Sequence, residues 1–168
     1  MAPSALDLQS PLSHSTHPSV LRAPEAEGCR KVMPKHIKIH LSSEANSWSS
    51  RKTAIREVAD SVAPHRNNWI SRNRFYYEDH YRFLRFLVPD DANVLDLGCG
   101  IGDLLGAMKP SVGVGIDLSE ATIEIARRTY PKYDFYVGDI EDSKVLARVQ
   151  GPFDVIVLSD TIGMIEDI

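Results

Sequence analysis

The chain is poor in the residues that staple a fold or hold a metal. It has two cysteines among 168 residues, Cys29 and Cys99, so no disulfide framework follows. Its six histidines fall at no metal-ligand spacing. His36 and His40 flank Lys-Ile-Lys-Ile without a second pair to match, and solvated histidines are the simpler reading. No metal is expected. No apolar run is long enough to span a bilayer, and the N-terminus lacks an apolar core of signal-peptide length. A soluble cytoplasmic protein is the default expectation. Basic residues are outnumbered, 19 against 23 acids, for a net charge of −4. That balance, with no lysine–arginine run, gives no general attraction to nucleic acid. No internal repeat is visible.

Composition divides the chain. Residues 1–34 hold five of its ten prolines, with much serine and alanine. Such a segment buries little and is expected to be disordered. Residues 35–41 alternate polar and apolar, as a short half-buried strand does. Apolar residues concentrate after about residue 54. Ile55, Val58 and Val62 fall at helical spacing before Pro64. A second helical stretch, 71–88, in one piece or two, carries Tyr77, Tyr81, Leu84 and Leu87 along one stripe before Pro89. The expected divisions are a loosely structured segment 1–52, a helical lead-in 53–90 and a ligand-binding unit 91–168.

What the chain does have lies in that last unit. Residues 94–102 read Val-Leu-Asp-Leu-Gly-Cys-Gly-Ile-Gly: an apolar strand with Asp96 near its end, then Gly98, Gly100 and Gly102. A helix with Ile101, Leu104, Leu105 and Met108 follows. A carboxylate in a buried strand is costly unless a cation or hydrogen-bond donors meet it. Glycines let a ligand touch the backbone. Together they point to a small, positively charged ligand. Two more strands end in acids, 112–117 in Asp117 and 133–139 in Asp139. A fourth apolar strand ends at Ser159 and Asp160. The expected connecting helices start after Ser119 and span 143–149. Alternating strands and helices imply right-handed crossovers and an α/β fold with a Rossmann-like, doubly wound parallel sheet. Ligands of such sheets sit at the carboxyl ends of the strands.

Each acid also has a plainer role. Asp117 precedes Ser119, and either can cap the next helix. Asp139 opens Asp-Ile-Glu-Asp-Ser, a stretch suited to a turn. Asp117 lies nineteen positions after Gly98, near the ribose-acid spacing of dinucleotide folds. That fingerprint, however, needs glycine where this chain has Asp103, and an acid there opposes a pyrophosphate.

The runs VLDLGCGIG, GVGIDLS, VGDIED and FDVIVLSD, in this order and spacing, resemble the class I S-adenosylmethionine-dependent methyltransferases. The resemblance covers about residues 70–168. It implies a loop from Gly98 through Cys99 and Gly100 to Gly102 that passes the methionine part of S-adenosylmethionine. It implies Asp96 near the cofactor's amino end, Asp117 on the ribose hydroxyls and Leu118 against adenine. Asp139 would accept from the adenine amino group, with Ile140 on the ring and Ser159 facing the methyl group. Tyr76, Tyr77, His80 and Tyr81 stand where they line an entrance or simply dock their helix, the second being favoured. No residue is assigned as the catalytic base; His80 and Tyr77 are nearest by placement.

The family's sheet has more strands than the four found. The chain therefore reads as a truncated, N-terminal part of such a domain, or as one whose bare edge another chain or domain completes. Alone, it is expected to bind the cofactor weakly or not at all and to be inactive. The methyl acceptor expected is a small molecule, sugar, lipid precursor or peptide, not a nucleic acid. The motif of amino-methylating DNA enzymes, Asn/Asp-Pro-Pro-aromatic, is replaced here by Ser-Asp-Thr-Ile. The alternatives are a non-catalytic S-adenosylmethionine-binding or regulatory module and, behind it, an NAD-dependent oxidoreductase.

Overall fold

The computed structural model describes residues 48–167. The expectations for the tail 1–34, the strand 35–41, Cys29, His36 and His40 lie outside them. All described elements belong to the unit His40–Ile168.

Three helices lead in: α1 (Ser50–Val62), α2 (Arg66–Arg72) and α3 (Arg74–Leu87). Ser49 caps α1 by accepting from the Lys52 amide at 3.1 Å. A 3₁₀ turn at Ala63–His65, with Pro64 at its start, separates α1 from α2. The lead-in thus begins at Ser50, ahead of the expected boundary at 53. On α3, Tyr77 is buried and Tyr81 and Leu84 partly so, but Leu87 is 55% exposed. The expected stripe therefore stops one turn short, because the backbone leaves the helix at Val88, which takes the core position.

The sheet follows: β1 (Asn93–Leu97), β2 (Val112–Asp117), β3 (Asp134–Val137) and β4 (Val155–Val157). All pairings are parallel, in the order β3-β2-β1-β4. Helices α4 (Asp103–Met108), α5 (Glu120–Thr129) and α6 (Ser143–Leu146) connect them. Alternation along β1 sends Val94 to one face and Leu95 to the other. Val94 joins Leu105, Met108, Ile123, Ala126 and Phe135. Leu95 joins Val114 and Ile116, with Val145 and Phe153 against them. Helices thus cover both faces, and the expected α/β architecture is the observed one. Two elements are shorter than their sequence suggested. α6 ends at Leu146, before Val149, and β4 ends two residues before Ser159. β4 reads as a central strand, yet it is the outer strand among the described residues, with Ile156 62% exposed.

This order splits the chain's direction beside β1. β2 and β3 lie on one side and β4 on the other. The carboxyl ends of β1 and β4 therefore flank the crevice where such sheets take ligands.

Candidate ligand site at the strand ends

A cavity of about 500 Å³ opens at that edge. Its wall includes Gly98, Cys99, Gly100, Asp117, Leu118, Asp139, Ile140 and Ser159 from the sheet side. From the lead-in helices come Lys52, Ile55, Tyr76, Tyr77 and His80. Of the ten residues singled out by sequence for the cofactor, eight meet here. Asp96 and Gly102 do not reach the wall.

The glycine loop is held from both strands. The Gly98 and Cys99 amides donate to Ile116 O at 2.8 and 3.0 Å. Gly100 has φ +52°, and a Cβ added there would meet nothing within 4 Å. It presents open backbone to the cavity. Gly102 does another job. Its Cβ would lie 2.7 Å from the Phe135 ring, so it lets α4 start close against the core. Cys99 turns its thiol inward, where a Cβ on Gly115 would come within 2.7 Å of it. Burial, then the charges of Asp96 and Asp117, push that thiol well above its usual range. It is a packing residue with a protonated sulfur.

The three strand-end acids have three different surroundings. Asp96 is 1% exposed, and neither carboxylate oxygen has a hydrogen-bond partner among the described residues. Burial, followed by the charges of Asp103 and Asp117, pushes it up to about 8. Asp117 accepts from the Gly100 and Ser119 amides, both at 2.9 Å, and from Thr122 Oγ1 at 3.2 Å. Burial still raises it against those bonds. The helix cap itself is Ser119, which accepts from the Thr122 amide at 3.1 Å. Asp117 is thus both a brace for the glycine loop and part of the cavity wall.

Asp139 is ion-paired. Lys52, buried on α1, reaches its Oδ2 and also Glu141 Oε2, the latter at 3.0 Å. Asp139 Oδ1 closes a turn by accepting from the Glu141 amide at 2.9 Å. Burial pulls the Lys52 ammonium down, but its bonds to the two carboxylates outweigh this and leave it raised. Glu141 also accepts from the Glu166 and Asp167 amides, the latter at 2.9 Å. These bonds, with Lys52, lower it to about 2.

Sequence reasoning missed Lys52, which it left in the loose segment 1–52. It also missed the docking of α1 as a whole. Asp60 accepts from Ser119 Oγ at 2.5 Å, and Arg51 donates to Gly163 O at 2.9 Å. No local signal marks these contacts, which join residues 59 to 112 positions apart. The aromatic cluster on α3 also departs from the favoured docking role, since Tyr76, Tyr77 and His80 line the cavity. Tyr81 docks instead, donating to Asp103 Oδ2 at 2.6 Å.

No group of three or more metal-binding side chains occurs among the described residues. No helix among them is long and apolar enough to cross a membrane.

Residues 94–168 match the family model described as a methyltransferase domain. The ribosomal protein L11 methyltransferase of Thermotoga petrophila is 36% identical over 78 residues, 45% of this chain and 29% of that one. The dTDP-4-amino-2,3,4,6-tetradeoxy-D-glucose N,N-dimethyltransferase of Saccharopolyspora spinosa is 34% identical over 77 residues, again 45% and 29%. The chain thus spans less than a third of the length of these relatives. Among solved structures, the magnesium protoporphyrin IX methyltransferase of Synechocystis, with S-adenosylhomocysteine bound, is 20% identical with a TM-score of 0.47. That likeness covers 63% of this chain and 57% of the other.

Proposed function

We propose, from the match of residues 94–168 to the methyltransferase-domain model, that the protein transfers a methyl group from S-adenosylmethionine to a small-molecule acceptor. The observation that carries this reading is the charge of the cavity. Asp103, Asp117, Asp139 and Glu141 stand on its wall, and Asp96 lies beneath without a donor. Its two cations are committed. Lys52 is shared by two carboxylates, and Arg66 lies over the Tyr77 ring at 5.7 Å. Such a wall opposes a diphosphate and favours a ligand bearing an ammonium and a sulfonium.

The residues fit that ligand one by one. Gly100 offers backbone that a chain of methylene groups can approach. Asp96 lies just before the loop with no donor among the described residues, and an ammonium beside it would favour its charged form. Asp117 keeps one of about four acceptor sites after its three bonds, enough for one ribose hydroxyl. Asp139 likewise keeps acceptor capacity beside Lys52, for an exocyclic amine, with Leu118 and Ile140 for the base. When bound, the cofactor supplies an electrophilic methyl group. The protein's part is to position the partners and exclude water.

The two curated relatives act on unlike acceptors by their names, a ribosomal protein and an amino sugar. The acceptor class proposed here, a metabolite, sugar, lipid precursor or peptide, rests instead on the acidic balance and the enclosed cavity. The proposed divisions remain a lead-in that roofs the cavity and a cofactor-binding unit from residue 91.

Calorimetry of the protein is expected to give saturable heat with S-adenosylhomocysteine, however weak, and none with NAD. Asp117→Ala is expected to weaken the first at least about tenfold, the loss of one hydrogen bond to a charged group. Saturation by NAD alone would overturn the proposal.

A further inference from the structure

His80 differs from the tyrosines around it. The Tyr81 hydroxyl is spent on Asp103. Tyr77 is nearly buried, with Arg66 over one face and Tyr76 edge-on at 5.2 Å. The His80 ring nitrogen Nε2 instead lies 3.2 Å from Ser159 Oγ, just past β4. In the neutral ring with its proton on Nδ1, Nε2 accepts from that hydroxyl.

Two further observations give the pair a place. Tyr76, His80, Ser159 and Asp160 line both the cavity and an outer cleft that adds Phe75 and Phe83. They form the wall between the two. Ser159 is also tied to the glycine loop. Thr161 Oγ1 donates to Ser159 O at 2.9 Å, across a turn in which Asp160 has φ +56°. The same Thr161 side chain packs so closely on Gly98 that a Cβ there would sit 2.2 Å from its Oγ1. A short run of contacts therefore links the loop that takes the methyl donor to the imidazole.

We propose that His80 is the proton acceptor for the methyl acceptor, that Ser159 is its positioning residue, and that the outer cleft is the acceptor's entry. This rests on the S-adenosylmethionine reading above. The acceptor class it selects is a protic nucleophile, O–H or N–H, on a body that meets Phe75 and Phe83 together with the charged Glu78, Asp79 and Arg82. The nucleophile's lone pair forms the bond to the methyl carbon. The carbon–sulfur bond breaks and its electron pair stays on sulfur, leaving a thioether. The nucleophile's proton passes to Nε2, from which the Ser159 hydroxyl has rotated away. Imidazole is the side chain most often used to take a proton in such a step.

The test uses the 168-residue chain and two non-reacting probes. S-adenosylhomocysteine lacks the methyl group, and sinefungin carries an amine in its place. The His80 imidazole is titrated by NMR in each complex, its signals assigned by their loss in His80→Gln. The other charged or titratable groups that share its cavity or cleft wall include Tyr76, Tyr77, Glu78, Asp79 and Arg82 of its own helix, Arg66 of α2, Asp103 of α4 and Asp160 beyond β4. They are common to both complexes. The sinefungin ammonium is expected to lower the proton affinity of His80 at least tenfold relative to S-adenosylhomocysteine. Equal affinities, with both probes bound, would overturn this proposal and leave the cofactor reading intact. Binding of neither probe would overturn both.

Discussion

The ends of β1 and β3 carry the same sequence signal, an acid where an apolar strand gives way to a loop, and the fold treats them in opposite ways. Asp96 is sealed among apolar residues with no donor for either oxygen among the described residues. Its charged form is costly, and two neighbouring acids add to the cost. Asp139 is buried almost as fully, yet it meets a lysine and an amide. Burial therefore does not decide the state of an acid at a strand end; the partner does. One end of the cleft is left wanting a cation. The other has supplied its own from a helix far away in sequence.

The largest way to test this contrast is through Asp96 and pH. Its unfolded value is about 4, and its folded value is about 8. Between them the folded state binds the proton that the unfolded state has released. Stability is fully present below the lower value and falls as pH rises toward the upper one, by about 1.4 kcal/mol per pH unit. Asp96→Asn keeps the shape and removes the titration. In urea denaturation at pH 5 and pH 7.5, wild type is expected to lose about 3 kcal/mol more than the variant between the two. Equal losses would mean that Asp96 finds a donor in solution, and the contrast with Asp139 would fail.

The next effect is at the other end. Lys52→Met leaves the carboxylates of Asp139 and Glu141 facing each other without their shared cation. Removing one partner of a buried pair costs about 3–5 kcal/mol, and an exposed pair is worth under about 1. Glu141 is partly exposed, with 19% of its side chain open, so about 2–3 kcal/mol is expected. Lys52→Met with Asp139→Asn should recover part of that loss, since one of the two opposed charges is gone. A double variant as unstable as the single one would show that Lys52 acts through packing of its stem instead.

These two ends also mark how far the sequence can be read. The acids, the glycine loop and the alternation of strand and helix were all legible, because they rest on local pattern: apolar runs in β1 and β2, glycine at tight turns, Ser119 at a helix start. The parallel, crossover-linked sheet followed from connection rules. The partners of the acids were not legible. Lys52 lies 87 positions before Asp139 in a polar first turn that reads as tail. Its role appears only when α1 docks. Gly102 looked like its neighbour Gly100, and only the position of Phe135 separates a packing glycine from one that faces the cavity. His80 was one of several aromatics on α3 until β4 brought Ser159 beside it.

The smallest effect sharpens the comparison most directly, because its sign is reversed. Glu141 is held at about 2 by the amides of Asp167 and Glu166 and by Lys52. Its folded value lies below the usual one of about 4.3. The stability it adds is therefore present above the unfolded value and is lost as pH falls through the folded one. Glu141→Gln should cost little at pH 7, where its amide oxygen still accepts a bond. Below pH 4, however, the variant should lose less stability than wild type as acid is added. The protection of the α1 amides against hydrogen exchange, corrected for the intrinsic rate at each pH, should be lower in wild type at pH 3 than at pH 6, and this drop should shrink in the variant. Asp96 then weakens the fold as pH rises, and the cluster around Asp139 weakens it as pH falls. If Glu141→Gln followed the wild-type acid limb unchanged, the bonds to Glu166 and Asp167 would carry no charge-dependent stability.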